Sequence, residues 1–227
     1  MKFITHSAVL ALAAAMIAAA PASAQDVDVA FNFGVTSDYV FRGFTQSDSD
    51  PAVQGGVDAT IGSFYVGAWA SNVEFFDDTD GEIDIYGGYR TEAAGYALDF
   101  GVVGYLYPGG PGAADYDYVE FKAAASRAVG PATLGVVVFY SPDFFGAADE
   151  EAVYVEGNAA WALNANWTVS AAVGRQALDV SDDYTTWNVG AAYLLTDNLL
   201  ADVRYHDTDI DTPFSDERIV GTIKVLF

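Results

Sequence analysis

The sequence predicts an all-β, transmembrane antiparallel β-barrel of about twelve strands. Three observations predict it. Apolar and polar residues alternate with a period of two from Asp28 to the end of the chain. Short and long connections follow one another between the alternating runs, and the long ones are acidic. Beyond the first two dozen residues no apolar run approaches the ~20 residues of a membrane-spanning helix, so a membrane could be crossed only by a closed barrel that satisfies its own backbone.

The chain starts with an address. Lys2 precedes the apolar run AVLALAAAMIAAA and then PASAQ, where Ala22-Ser23-Ala24 is a small-residue cleavage pattern. This predicts a signal peptide over 1–24, cut before Gln25, and a single barrel domain over 25–227. Removing 24 of the 227 residues leaves 203, with 8 Lys+Arg against 32 Asp+Glu and a formal charge of −24. Such a chain is acidic, yet its aromatic and β-branched content sets it apart from disordered proteins. It has no basic patch to neutralise phosphates, which argues against nucleic acid as a partner. With no cysteine, an exported fold must hold by packing and backbone pairing alone.

Each strand follows from its own stretch. DVAFNFGVTSDYVFRG reads as one strand over 28–42: Val29, Phe31, Phe33, Val35, Tyr39 and Phe41 share one parity, opposite Asp28, Asn32, Thr36, Asp38 and Arg42. Strands over 51–61 and 63–72 meet at Gly62-Ser63; FYVGAWASNV in the second has apolar or aromatic residues on both faces, leaving its phase open. IDIYGGYR gives 82–91, and EAAG turns the chain into 95–107. DYVEFKAAAS gives 116–128, and VGPA leads into 132–141. The pairs 151–163 with 167–178, and 184–195 with 198–207, are joined by NANW and TDN. DERIVGTIKVLF supplies the last strand, 217–227.

The long connections are FTQSDSD, NVEFFDDTDG, PGGPGAAD, SPDFFGAADE, LDVSDD and HDTDIDTPFSD. Tight turns at one end and longer loops at the other are the asymmetry of outer-membrane barrels, and an even strand count puts both chain ends on the periplasmic side. Trp161, Trp167 and Tyr193 fall near short turns, while Tyr184 and Trp187 fall toward the loops, as two interfacial girdles would. A soluble β-sandwich also alternates but requires neither asymmetry nor girdles. Phe227 shares a face with Val225, Ile223, Gly221 and Ile219. A terminal aromatic on an alternating strand resembles the signal read by the barrel-assembly machinery of the Gram-negative outer membrane.

SDYVFRGFTQ, DPAVQGG, FYVGAWASNVEF, EIDIYGGYR and GVVGYLYPG together resemble the proteobacterial TorF-type porin family, also known as the Gcw_chp conserved hypothetical proteins. The resemblance is densest from Thr36 to Pro108, and Thr45 stands where the family commonly has serine. It implies an exported outer-membrane barrel and brings no established substrate, cofactor or catalytic residue.

In a barrel the polar parity faces the lumen, so Asp38, Arg42, Asp58, Asp84, Arg90, Glu120, Lys122, Arg204 and Lys224 are the candidate pore-lining residues. The same parity turns the neighbouring aromatics toward lipid. Rows of opposite charge across a twelve-strand interior would leave a narrow channel with a transverse field for small hydrophilic solutes. An excess of inward acids would make it prefer cations. Alternatively, the same charges pair across the interior and plug it, leaving a structural or surface-interaction protein with acidic loops.

Other chemistry has less support. His206 is the one histidine beyond the leader, and neither Ser141 nor Ser181 has a sequence reason to approach it, so a lipid hydrolase is a distant reading. DDTDGE and DTDID do not fit the twelve-residue calcium loop. Asp77, Asp78 and Asp80 remain weak candidates for loose divalent-cation binding that would bridge to lipopolysaccharide phosphates. PGGPG lacks the following lysine and helix of a phosphate cradle.

Overall fold

The structure, a computed structural model, describes residues 27–75, 77–112, 114–148 and 150–227. The leader and its cleavage site lie outside the described residues. The strands are β1 (Asp28–Thr36), β2 (Val40–Phe41), β3 (Phe44–Thr45), β4 (Ala52–Ile61), β5 (Phe64–Asn72), β6 (Gly81–Ala93) and β7 (Tyr96–Leu106). They continue with β8 (Tyr118–Val129), β9 (Ala132–Phe144), β10 (Glu150–Ala162), β11 (Trp167–Leu178), β12 (Tyr184–Leu194), β13 (Leu199–Thr208) and β14 (Arg218–Leu226). Twelve of them form a closed antiparallel barrel, and β2 and β3 form a separate two-stranded hairpin.

Closure is made by β1, which pairs with β4 on one side and β14 on the other: Gly34 lies opposite both Gln54 and Lys224. Because the side-chain period is two, one register fixes a whole face. The outward face is apolar and bare, with Phe31 53 % and Ile85 57 % exposed and valines alongside them. An apolar belt of this extent around a closed barrel is a lipid-facing surface. Trp167 and Tyr193 are register partners near the short-turn end, with rings 4.7 Å apart, and Trp161 stands on the same rim. Arginine at the middle of this belt is expected to cost about 2–4 kcal/mol. Val102→Arg, on the outer face of mid-β7, is therefore expected to lower stability by that amount in unfolding titrations from lipid vesicles. A change well under 1 kcal/mol, on the order of a surface substitution, would contradict the lipid-facing assignment.

The structure corrects the expectation of one strand over 28–42. β1 stops at Thr36, whose hydroxyl donates to the Asp38 carbonyl at 2.9 Å, and the chain then turns into the barrel. Arg42 and Gly43 both have positive φ, 46° and 91°, and join β2 to β3 with Phe41 opposite Phe44. Positive φ at both central positions marks the tight primed hairpin turn that matches strand twist. The phase of β5 is also settled: Tyr65 and Trp69 are on the inward parity, with Phe64 and Val66 outside. Tyr184 is not a girdle residue. It is buried inside, edge-on to Phe44 with centroids 5.1 Å apart.

Candidate functional site

The β2–β3 hairpin lies within the lumen near the long-loop end and touches most of the barrel wall. At its base the Asp38 carboxylate accepts from Thr45 Oγ1 at 2.6 Å, Ser47 Oγ at 3.2 Å and Arg218 Nη1 of β14 at 2.8 Å. On one flank Tyr39 donates to Glu82 of β6 at 3.2 Å and meets the Trp69 ring of β5 edge-on. At the tip Gly43 leaves no room for a Cβ, because one would meet the side chains of Thr186 and Thr208 on β12 and β13. Thr45 N–H donates to the Phe214 carbonyl, and Glu74 N–H to the Gln46 carbonyl, tying the hairpin to two other loops.

Arg42 extends from this tip to the far wall. Its Nη1 and Nη2 donate to the two oxygens of Glu120 on β8, each at 2.7 Å, and Nη1 also donates to Gln176 Oε1 of β11 at 3.1 Å. The guanidinium carbon lies 4.2 Å from the Tyr154 ring centre, 4.7 Å from Phe41 and 5.0 Å from Phe139. Tyr105 O–H adds a third hydrogen bond to Glu120 at 3.0 Å. The ion pair is dry, with side-chain exposures of 3 % and 1 %. Desolvating two such charges costs several kcal/mol per ion, so the pair by itself comes near to breaking even. The fork-to-fork geometry, the Tyr105 and Gln176 bonds and the aromatic faces, each worth about 0.5–2 kcal/mol, decide the sign. They also offset the ~1–3 kcal/mol of holding a non-glycine residue at positive φ. Gly174 gives Tyr154 its place, since a Cβ there would collide with the phenol.

Two further layers frame this latch. On the loop side, Phe75, Tyr107, Tyr116 and Phe145 pack on one another, with Tyr116 and Phe145 stacked at 4.6 Å, and they continue the Tyr105–Tyr118 stack at 4.3 Å. On the short-turn side the lumen is polar and wetter. Asp99 of β7 accepts from Tyr65 at 2.8 Å, Lys122 at 2.8 Å and Arg90 at 3.3 Å. The Arg90 and Lys122 side chains there are 25 % and 22 % exposed, against 3 % for Arg42. Across the barrel, Arg204 of β13 holds Asp202, Asn188 and Ser170. Tyr86 donates to Asp58 at 2.8 Å, and Tyr154 to Glu156 at 2.9 Å.

Comparison with known proteins places this geometry in a family. The sequence family described as "Bacterial protein of unknown function (Gcw_chp)" matches residues 18–225. The chain belongs to the Gcw_chp family. No curated protein matches it by sequence. Among solved structures it is similar to the KdgM porin at 7 % identity, covering 87 % of this chain and 98 % of that one, with a TM-score of 0.62. The KdgM porin in complex with disordered oligogalacturonate is similar to the same degree, with 7 % identity, coverage of 88 % and 97 %, and a TM-score of 0.61. An outer membrane channel from Pseudomonas putida F1 follows at 11 % identity, coverage of 91 % and 96 %, and a TM-score of 0.54. At such identities the likeness is one of fold: this Gcw_chp barrel has the architecture of outer-membrane porins.

Within the Gcw_chp barrel, Asp58, Asp84, Arg90, Glu120, Lys122, Arg204 and Lys224 occupy inward strand positions. Asp38 and Arg42 are also inside, but on the hairpin. Their aromatic neighbours Tyr39 and Phe41 face inward with them, contrary to the lipid-facing expectation, because the chain has left the barrel wall by then. The expected rows of opposite charge are absent among the described residues. Arg42, Arg204 and Arg218 each sit beside a carboxylate of their own and Arg90 and Lys122 share Asp99, with N–O distances of 2.7–3.3 Å, so these five bases are compensated locally. Among the described residues Lys224 forms no ion pair of this kind.

Sequence reasoning missed Tyr105, Gln176 and Tyr154, which complete the latch. Their inward parity was legible, but nothing local indicated convergence on one guanidinium. Asp77 accepts from Thr79 N–H and Tyr116 O–H, each at 2.8 Å, and these bonds hold its carboxyl below the usual carboxylate range. Among the described residues no three His, Cys, Asp or Glu side chains are grouped to hold a metal, Asp77, Asp78 and Asp80 included. The Ser141 hydroxyl donates to the Asp143 carbonyl and that of Ser181 to Glu150, so both are engaged away from His206.

Proposed function

We propose that this Gcw_chp protein is a TorF-type outer-membrane channel for small hydrophilic solutes, gated by its own first loop. The observation that carries the reading is that the lumen is crossed by a separate hairpin rather than filled by strand side chains. A segment joined to the wall through side-chain contacts, and to two loops by the Thr45–Phe214 and Glu74–Gln46 backbone hydrogen bonds, can leave without breaking a barrel strand. Beneath it lies a wetter, charged interior suited to hydrated solutes. Cation preference is supported by the charge of the chain beyond the leader and by the local compensation of lumen bases. The long acidic loops would face outward, where divalent cations can bridge them to lipopolysaccharide phosphates. Export would use the 1–24 leader, and insertion the strand that ends at Phe227.

One observation favours a second reading, a permanently closed barrel acting through its loops: the latch ion pair is almost wholly dehydrated. Single-channel recording of the refolded chain lacking residues 1–24, with reversal potential under a salt gradient, separates the two. The gated channel is expected to show infrequent discrete openings that reverse on the cation side. An anion-sided reversal would remove the cation preference. Silence in both wild type and latch variants would establish the closed barrel.

A further inference from the structure

We infer that the barrel wall around Glu120 is a guanidinium-binding site, occupied in the closed state by the protein's own Arg42 and open to a guanidinium-bearing solute when the hairpin leaves. The inference builds on the gate reading and names the class of small molecule that would control it. All of the receptor side belongs to the wall. Glu120 supplies two parallel acceptors, Gln176 a third at an angle, and Tyr154 and Phe139 supply ring faces. Glu120 and Gln176 are 1 % and 0 % exposed, and Tyr105 fixes the carboxylate from behind.

This chemistry selects a planar fork. A guanidinium meets a carboxylate through two parallel N–H bonds and stacks on aromatic faces, whereas an ammonium offers a compact, strongly hydrated charge that does neither as well. The hairpin supplies the Arg42 side chain and one of the three ring faces, Phe41, so the wall keeps both acceptor side chains and two ring faces when the tip leaves; the tip enters as a guanidinium on a short aliphatic stem. A free solute with the same head group has the same complement. Its binding would compete with the tip and hold the gate open. The tip has the advantage of tethering, since a short linker gives an effective concentration in the ~mM range. Competition therefore belongs to solutes at comparable or higher concentration.

The test is chemical rescue. Refolded Arg42→Ala protein is titrated calorimetrically with guanidinium chloride and, at the same ionic strength, with methylammonium chloride. Saturable one-site binding of guanidinium is expected, at least about tenfold tighter than methylammonium, and lost when Glu120→Gln is added. Equal affinity for the two cations, or guanidinium binding that survives Glu120→Gln, would overturn the inference. If Arg42→Ala does not refold, wild-type protein carries the test. Sub-denaturing guanidinium is expected to raise open probability severalfold above matched methylammonium, and an identical response to both salts refutes the site. The current of Arg42→Ala without added guanidinium reports separately on the gate, so the gate reading can stand while the binding site fails.

Discussion

Arg42→Ala is expected to convert an infrequently opening barrel into one that conducts most of the time. The substitution removes the cation from a pair whose carboxylate is 1 % exposed, and an uncompensated buried charge costs about 3–5 kcal/mol. That cost falls on the closed state, because an open lumen lets water reach Glu120. The closed-to-open ratio is then expected to drop by about 10²-fold or more. The hairpin base keeps its Asp38–Arg218 bridge at 2.8 Å, so the tip is expected to detach first. Arg204→Ala serves as control: Arg204 pairs with Asp202 on the wetter side of the plug, and its hydrogen bonds go to Asn188, Ser170 and Asp202 on barrel strands. Its effect is expected on conductance or selectivity, not on gating. Open probability in planar bilayers measures both. An Arg42→Ala barrel that folds and stays as quiet as wild type would mean that the hairpin does not gate.

Glu120→Ala is expected to be the more damaging half of the same pair. It strands a permanently charged guanidinium among Phe41, Phe139 and Tyr154, and leaves the Tyr105 hydroxyl without its acceptor. A guanidinium cannot neutralise itself by losing a proton, so either the hairpin is expelled or the closed barrel loses about 3–5 kcal/mol. The double variant Arg42→Ala/Glu120→Ala is expected to recover much of that loss, with an interaction energy of roughly 2–3 kcal/mol in a double-mutant cycle. Gln176→Ala, which removes one neutral acceptor, is expected to cost only about 1–3 kcal/mol. Urea unfolding from lipid vesicles reads all four. Additive losses in the cycle would show that Arg42 and Glu120 do not stabilise the closed state as a pair.

The sequence reveals the barrel wall and the latch residues unequally. Val29, Phe31, Phe33 and Val35 announce an outer face one residue at a time, and the short turns at Gly62-Ser63 and Asn164–Asn166 set where strands reverse. From Ala52 onward the observed strand bounds differ from the expected ones by three residues at most. These features are legible because they are local: lipid outside and water inside impose a period of two on any strand that separates them. Arg42-Gly43 was also readable as a two-residue hairpin turn, with Val40-Phe41 before it and Phe44-Thr45 after. The parity of β1 carried through Tyr39 and Phe41 and concealed it, since alternation alone does not distinguish one long strand from a strand and a folded-back hairpin.

By itself, then, the sequence determined a twelve-strand barrel, its two faces and its two unequal ends. Tertiary structure decided what fills the barrel. Arg42 meets Glu120 and Gln176 across sequence separations of 78 and 134 residues, and Asp38 meets Arg218 across 180. Inward parity says that such residues face water or one another, but which of them touch depends on how strand tilt and stagger bring distant positions to the same height. The lumen is where that closure is felt, so most of its bases met their carboxylates, and Arg42 its latch, only when the barrel closed around the hairpin.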